Sequence, residues 1–342
     1  MMQFHTIGLI VNPFAGLGAN VNLKLAQKGL LALKVHKVVT GPGLTGADAL
    51  VGTTIEAVVR PVSEKASRDQ TLELATQLVS DKLDAVMVVG GDGTLADVAY
   101  VFSQFKDSPP LLGVGAGSTN AGALITCTLD QVDLLRNTLL NVTPVPALMA
   151  YANDNLVGLG FNDCVLGSTV VATVDGKLRD VSVVEKFSGR SIPARPTSIG
   201  LLQTQVERNS STRGRQLIAG GESVATVIIG LAEPSFIAKA ITGGVCLTAF
   251  SGLQAGCLVA DQPLVQVELM PDDVLALPAI HSSYLGFGEQ DRIHVRGVRN
   301  GAGLCVDGTP LQLLTPDQEV SFGVNPNAVR AIKFENIQKG AL

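Results

Sequence analysis

The stretch that decides the fold reads Asp-Ala-Val-Met-Val-Val-Gly-Gly-Asp-Gly-Thr and occupies residues 84–94. Its apolar run has the length of a buried strand, and the run ends in a glycine-rich turn. Apolar residues then recur at helical spacing, namely Leu95, Val98, Ala99 and Phe102. The sequence therefore predicts a strand, a turn and a helix whose first backbone N–H groups point into the turn, and anions bind at such places.

Asp92 lies within this turn and can accept a proton or contact a metal ion. The glycines around it let the backbone approach an anion closely and adopt positive φ without strain. The same pattern also fits an ordinary strand-to-helix turn in which the aspartate caps the helix. The segment on its own leaves both interpretations open.

Length, charge and hydropathy exclude several classes of protein. A chain of 342 residues predicts two domains, and a net charge of −5 argues against a nucleic-acid partner. No stretch approaches the roughly 18 uninterrupted apolar residues of a membrane span, and no secretory leader pattern follows Met1. We therefore expect a cytoplasmic protein without stable membrane insertion. Five scattered cysteines without a C-x-x-C pair favour reduced thiols over a zinc site.

The first part of the chain repeats a unit of apolar strand, glycine turn and helix, as in an α/β domain with a parallel sheet. The clearest strands are Thr6–Val11, Asp84–Val89 and Leu111–Val114. Because ligands collect outside the carboxyl ends of parallel strands, the turns that follow are expected at one edge of the sheet. We predict an α/β N-terminal Rossmann-like domain over residues 1–148.

Beyond residue 150 the apolar pattern alternates, which is typical of half-buried strands. The predicted strands include Ile199–Val206, Val224–Leu231, Leu264–Leu269 and Arg292–Arg296. Glu207–Glu222 is rich in Ser, Arg and Gly and predicts a protruding loop. We predict an all-β sandwich-like C-terminal domain over 149–322, and we expect residues 323–342 to return to the first domain.

Two motifs carry a resemblance to known kinases. Gly90-Gly91-Asp92-Gly93-Thr94 matches the signature shared by the NAD kinase family and the diacylglycerol, sphingosine and other lipid kinases. Asn12-Pro13-Phe14-Ala15-Gly16 resembles the opening of the NAD-kinase-like group that includes the acetoin-catabolism protein X, and lipid kinases also begin with an asparagine-proline turn. The resemblance implies the NAD kinase/diacylglycerol kinase-like fold and phosphoryl transfer to an alcohol.

The resemblance also implies roles for individual residues. Asp92 would be the catalytic group, either orienting and deprotonating the acceptor hydroxyl or contacting Mg²⁺. The phosphate would be bound by Gly90, Gly91, Gly93 and Thr94, with Asn12 and Gly16 contacting the nucleotide. The alternative for the Asn12 turn is a plain strand-ending turn.

Three further motifs appear in the order known from these kinases. Gly117-Ser118-Thr119-Asn120 resembles the glycine-threonine-x-asparagine-aspartate motif of lipid kinases, and Asn162-Asp163 resembles the asparagine-glutamate pair with which NAD kinases contact the dinucleotide. Asp307-Gly308 is similar to the aspartate-glycine pair that both branches place late in the β domain. Nucleotide contacts are thus implied for Ser118, Thr119, Asn120, Asn162, Asp163 and Asp307. A helix cap, an Asx turn and a hairpin turn are the respective alternatives.

The substrates follow from the resemblance alone. It implies a kinase that uses ATP or polyphosphate, with Mg²⁺, to phosphorylate the 2′-hydroxyl of the adenosine ribose of NAD. Thr248–Gly252, however, keeps little of the loop that holds the adenosine in NAD kinases. A diacylglycerol-type lipid kinase and a catalytically silent nucleotide-binding regulatory protein are the alternatives. We expect a homo-oligomer, either a dimer or a tetramer, with no metal cage built from protein side chains.

Overall fold

The computed structural model describes residues 3–63, 67–117, 120, 122–174, 177–232, 252–264, 266–267 and 279–335. The chain divides into two compact units. The first unit comprises Met1–Val145 and Asn327–Leu342, and the second comprises Pro146–Pro326. Both the start and the end of the sequence thus belong to the first unit.

The first unit alternates strands and helices. Its strands are β1 Thr6–Val11, β2 Lys37–Thr40, β3 Glu56–Val59, β4 Ala85–Gly90, β5 Leu111–Gly115 and β6 Ile125–Thr128. Its helices are α1 Ala19–Ala32, α2 Ser67–Val79 and α3 Asp92–Ser103, with short 3-10 turns at Gly43–Thr45, Ala47–Leu50 and Val132–Arg136. The strands are parallel in the order β5-β4-β1-β2-β3, and β6 pairs with β5.

Helices cover both faces of this sheet. Leu25 and Leu30 of α1 share a core with residues of β1, β4 and β5. On the opposite face, a Cβ at Gly8 would lie 3.1 Å from Leu78 Cδ1, so α2 packs closely against β1 there. β4 is buried along its whole length, which is why it reads as an uninterrupted apolar run. The prediction of a parallel α/β domain is confirmed.

The second unit is built mainly from strands. They are β7 Leu140–Ala152, β8 Asn155–Gly160, β9 Asp163–Gly167, β10 Thr169–Val174, β11 Lys177–Ser182, β12 Gln205–Ser210, β13 Gly214–Gly220, β14 Thr226–Leu231, β15 Ala255–Ala260, β16 Ser282–Phe287, β17 Asp291–Arg296, β18 Ala302–Val306, β19 Thr309–Leu314 and β20 Glu319–Phe334. One short helix, α4 Val183–Phe187, follows β11, and a 3-10 turn lies at Gly221–Ser223. β7 enters this unit from the first one, and β20 leads back to it.

Two layers of strands enclose the core of the second unit. One is the antiparallel sheet β16-β15-β14-β9-β18-β19, and the other contains β13-β12-β17-β20. Ile229 and Leu304 from the first sheet share a fully buried core with Ile293 and Phe322 from the second. The prediction of a β-rich second domain is confirmed.

The loop predicted at Glu207–Glu222 is wrong, because most of this segment forms the hairpin β12–β13. Arg215 of β13 donates to both carboxylate oxygens of Glu207 in β12, at 2.8 and 2.6 Å. Such cross-strand ion pairs stabilise the pairing of two strands. The polar composition therefore reflects a hairpin in which a buried Glu207 in β12 pairs with an arginine on the exposed part of β13.

The strand predicted at Ile199–Val206 is wrong in its first part, because β12 begins only at Gln205. The Thr204 hydroxyl accepts from Leu201 N at 2.8 Å and donates to Gly297 O at 2.6 Å, which closes a turn before the strand. Of the strand predicted at Leu264–Leu269, the described residues 264, 266 and 267 have no strand structure. The other residues of that segment lie outside the described residues.

The structure also bears on the sequence's hydropathy and on the state of its cysteines. Within the described ranges no helix is both long and apolar enough to cross a bilayer. Cys127, Cys164, Cys257 and Cys305 are buried free thiols, whereas Cys246 lies outside the described residues. Burial raises the pKa of Cys127 and of Cys305 to about 12, so these thiols stay protonated at neutral pH.

We expect Thr126→Val to lower the free energy of unfolding by about 1–3 kcal/mol. The buried Thr126 hydroxyl donates to Ile332 O at 2.7 Å and accepts from Gly113 N at 3.0 Å, so it ties β20 and β5 to β6. Valine has the same shape but leaves both groups without that partner. Urea denaturation measures the loss, with Thr126→Ser as the control that keeps the hydroxyl. A valine variant as stable as the wild type would contradict this role.

Candidate phosphate and nucleotide site

The turn between β4 and α3 places Asp92 at the first residue of a helix. Gly91 is the N-cap, with φ −86° and ψ 178°, and Asp92 opens the helix in its first turn. The alternative in which Asp92 caps the helix is therefore wrong. The first turn of a helix presents backbone N–H groups and the positive end of the helix dipole, and Asp92 belongs to that turn.

Two glycines bring the turns after β4 and β5 into contact. A Cβ on Gly117 would lie only 2.7 Å from Gly91 Cα, and a Cβ on Gly91 would lie 3.2 Å from Gly117 Cα. Gly90 accepts from Ala116 N at 2.8 Å just before this contact. Two backbones can approach so closely only where neither carries a side chain.

The Asp92 carboxylate is held by the chain that follows β5. Its Oδ1 accepts from Gly122 N at 2.9 Å. A Cβ on Gly122 would lie 2.8 Å from that same oxygen, so glycine is needed for the contact. A backbone N–H that bonds one carboxylate oxygen restrains the orientation of the group.

Asn12 ties the first turn to the same helix. Its Nδ2 donates to Thr94 Oγ1 at 2.8 Å, its Oδ1 accepts from Phe14 N at 2.9 Å, and its backbone N donates to Val89 O at 2.9 Å. Gly16, in the same turn, is exposed. The structure thus brings the turns after β1, β4 and β5 together.

Asn22 is a site residue that the sequence analysis did not identify. It is fully buried in α1, and its Nδ2 donates to Asn12 O at 2.9 Å and to Ala15 O at 3.4 Å. The signal was present, because Asn22 lies three and four residues before the buried Leu25 and Ala26. A polar residue in the apolar stripe of a helix needs a partner, and here the partner is the turn after β1.

The turn after β5 is shaped by Asn120, whose φ is +51°. Its Oδ1 accepts from Gly117 N at 2.7 Å, and its Nδ2 donates to Gly117 O at 2.8 Å. Asparagine tolerates this left-handed conformation better than most residues. Ser118 and Thr119 lie outside the described residues, so their nucleotide contacts stay a prediction.

In the second unit, Asp307 binds the loop that carries Asn162 and Asp163. Its carboxylate accepts from Phe161 N at 2.8 Å, Asn162 N at 2.9 Å and Asp163 N at 3.0 Å. Burial and the nearby Asp163 carboxylate raise the pKa of Asp307 to about 7, against the opposing effect of the three N–H donors. The predicted direct contact between Asp307 and a nucleotide stays a prediction.

Asn162 carries one of the five buried side-chain atoms that have no hydrogen-bond partner among the described residues, and Asn22 Oδ1 is another. The side-chain Oδ1 of Asn162 is buried and has no hydrogen-bond partner in the described part of the chain, while the backbone O of Asn162 accepts from Leu231 N at 3.2 Å. An unpaired buried acceptor costs about 1–3 kcal/mol, so such atoms often mark places where a ligand or water donates.

Asp92 is the carboxylate near the glycine turns that would contact a Mg²⁺ ion bound together with substrate phosphates. No group of three His, Cys, Asp or Glu residues in the described part of the chain could hold a metal ion. Mg²⁺ is commonly bound by one or two carboxylates together with substrate phosphates. Asp92, beside the glycine turns, fits that role.

Of the segment Thr248–Gly252, only Gly252 belongs to the described residues.

Comparisons with known proteins agree with this architecture. Residues 6–141 match the diacylglycerol kinase catalytic domain. An uncharacterized protein of Archaeoglobus fulgidus is 26% identical over 328 residues, which covers 96% of this chain and 97% of that protein. The domain match spans the strands and turns that carry Asn12, Asp92 and Asn120.

Two solved structures show the same fold over nearly the whole chain. A diacylglycerol kinase from Bacillus anthracis strain Sterne has a TM-score of 0.52 at 14% identity and covers 98% of this chain and 99% of its own. Yeast NADH kinase complexed with NADH has a TM-score of 0.51 at 13% identity and covers 99% of this chain and 85% of its own. The predicted fold class is therefore confirmed.

Proposed function

We propose that this chain, a member of the diacylglycerol kinase/NAD kinase-like superfamily, transfers a phosphoryl group from ATP or polyphosphate to an alcohol. The observation that carries the proposal is the position of Asp92. Its carboxylate opens α3, bonded to Gly122 N, beside the paired glycines Gly91 and Gly117. A base and an anion-binding helix end thus occupy one place.

In the proposed reaction the glycine turns receive the phosphates of the donor, and Asp92 acts on the acceptor hydroxyl. The transition state of phosphoryl transfer is loose, so the catalyst mainly positions the reactants and compensates charge. Asp92 orients the hydroxyl and takes its proton late in the reaction. Mg²⁺ bound with ATP supplies neutralisation of the phosphate charge.

For the acceptor we propose the 2′-hydroxyl of the adenosine ribose of NAD. The support is the Asn162-Asp163 pair, in which a buried amide oxygen that lacks a partner among the described residues is followed by a carboxylate. An amide and a carboxylate together accept hydrogen bonds from ribose hydroxyls. The likeness of the fold to a yeast NADH kinase complexed with NADH is consistent with such a ligand.

A lipid acceptor of the diacylglycerol type is the second candidate. The match of residues 6–141 to the diacylglycerol kinase catalytic domain favours it. The third candidate is a nucleotide-binding protein without turnover. Such a protein would keep the fold and the glycine turns after β4 and β5, but it would not catalyse phosphoryl transfer.

One set of assays separates these functions. The purified protein is incubated with Mg²⁺, ATP or polyphosphate, and either NAD or diacylglycerol in detergent micelles. Formation of NADP supports the first proposal, and formation of phosphatidic acid supports the second. Calorimetric binding of NAD or ATP without product supports the third. If neither acceptor is phosphorylated and no nucleotide binds, the kinase proposal is wrong.

We expect Asn162→Ala to raise the KM for NAD about tenfold, the equivalent of one lost hydrogen bond of ~1.4 kcal/mol. The value of kcat should stay within about twofold, because this contact is equally present in the ground state and the transition state. Steady-state NADP formation measures both constants. Asn155→Ala, at an exposed asparagine of β8, is the matched control. An unchanged KM for NAD would rule out the ribose contact.

A further inference from the structure

The hairpin turn between β18 and β19 is joined to the loop between β8 and β9 by four hydrogen bonds. The Asp307 carboxylate accepts three of them, from the backbone N–H groups of Phe161, Asn162 and Asp163. The fourth runs in the other direction, from Asp307 N to Asp163 O at 3.0 Å. One side chain thus fixes three consecutive peptide groups that are remote from it in sequence.

A hairpin turn alone does not require this arrangement. Asp307 has φ +46° and is followed by Gly308 at φ +78°, a conformation that Asn-Gly adopts equally well. Asp154 shows the ordinary case, since it has φ +63° in the exposed turn between β7 and β8. The carboxylate of Asp307 therefore serves the neighbouring loop more than its own turn.

The loop held in this way is the one that carries the proposed ribose contacts. Its backbone orientation determines where the side chain of Asp163 and the Oδ1 of Asn162, which has no partner among the described residues, are directed. We infer that Asp307 is the positioning residue that holds the loop at residues 161–163 in its ligand-binding conformation. This inference rests on the proposed function, because it assigns the loop to nucleotide recognition.

The charge state of Asp307 affects this role. The ionisable groups around it are the Asp163 carboxylate and the thiols of Cys164 and Cys305, and both thiols have raised pKa values and stay neutral. Above its pKa of about 7, the ionised Asp307 carboxylate accepts all three N–H bonds. Below that pH one oxygen carries a proton and becomes a weak acceptor, so the loop is held less firmly and NAD binds more weakly.

The kinetic test compares Asp307→Asn with the matched control Asp154→Asn. The amide keeps the size of the side chain and suits the left-handed turn, but it directs an N–H donor at backbone N–H groups. We expect the KM for NAD to rise about tenfold while kcat stays within about twofold. The wild-type KM should rise as the pH falls through about 7, whereas the Asp307→Asn KM should be independent of pH. The Asp154→Asn variant should behave as the wild type.

Amide hydrogen exchange tests the same inference without any turnover. Peptides covering residues 158–166 should lose protection in Asp307→Asn but not in Asp154→Asn. If Asp307→Asn does not fold, the wild type is compared at about pH 6 and about pH 8, with exchange corrected for intrinsic rates. Unchanged protection in these comparisons would overturn the inference. A wild type that neither binds nor phosphorylates NAD, yet loses protection as expected, refutes the NAD proposal and leaves the positioning role of Asp307 standing.

Discussion

Asp92→Asn is expected to lower kcat for phosphoryl transfer by about 10²–10⁴-fold, the usual contribution of a positioned general base. The amide has nearly the shape of the carboxylate, and its oxygen can still accept from Gly122 N. The variant therefore loses the charge and the proton acceptor, but not the architecture of the turn. The KM values should change little if the residue acts mainly in the transition state.

Steady-state rates with the acceptor that the assays with NAD and diacylglycerol select give the measurement, and thermal denaturation shows whether the variant is folded. Asp107→Asn, at an exposed residue beyond the end of α3, is the control and should keep wild-type activity. An Asp92→Asn enzyme that retains more than about a tenth of wild-type kcat would remove Asp92 from the chemistry. Loss of NAD binding in that variant would instead point to a role in binding.

The elements that the sequence predicted well are those whose pattern is determined by burial on both faces. β4 and β5 are continuous apolar runs followed by glycines, because helices cover the sheet on each side and the chain must then turn sharply. The sequence does not predict the hairpin β12–β13, because its strands carry arginine, serine and glutamate, and in β12 Glu207 and Arg208 are buried charged residues. Only the partner strand shows that Arg215 and Glu207 pair.

The residues of the candidate site also differ in how far the sequence predicts them. Local motifs identified Gly91 and Asp92, because a strand, a glycine turn and a helix start are all encoded within a few residues. Other contacts of the site join distant parts of the chain. Gly117 lies against Gly91, Gly122 N donates to Asp92, and the Asp307 carboxylate accepts from Phe161 N. No local pattern encodes such contacts. Asn22 interrupts the apolar stripe of α1, and from the sequence this predicts that it has a hydrogen-bond partner but not which residue that partner is.

Gly117→Ala is expected to impair the use of the phosphate donor severely. The new Cβ would lie 2.7 Å from Gly91 Cα and 3.1 Å from Asn120 Oδ1. The first of these neighbours is backbone, so no rotamer change can relieve the clash, and the turns after β4 and β5 must separate. A displacement of about 1 Å at a reacting group can cost about 10²-fold in rate, and we expect kcat/KM for ATP to fall by about that factor.

The control for this variant is Gly323→Ala, whose Cβ would meet, among the described residues, only Arg292 Nε at 4.0 Å. It should bind ATP and turn over as the wild type does, which separates crowding at the turns after β4 and β5 from the general cost of replacing a glycine. Calorimetric titration then measures the affinity of each variant for ATP directly. The contact with Gly117 involves Gly91, the residue directly before the helix that begins with Asp92. A Gly117→Ala protein that is folded and binds ATP normally would therefore show that phosphate is not bound at these turns.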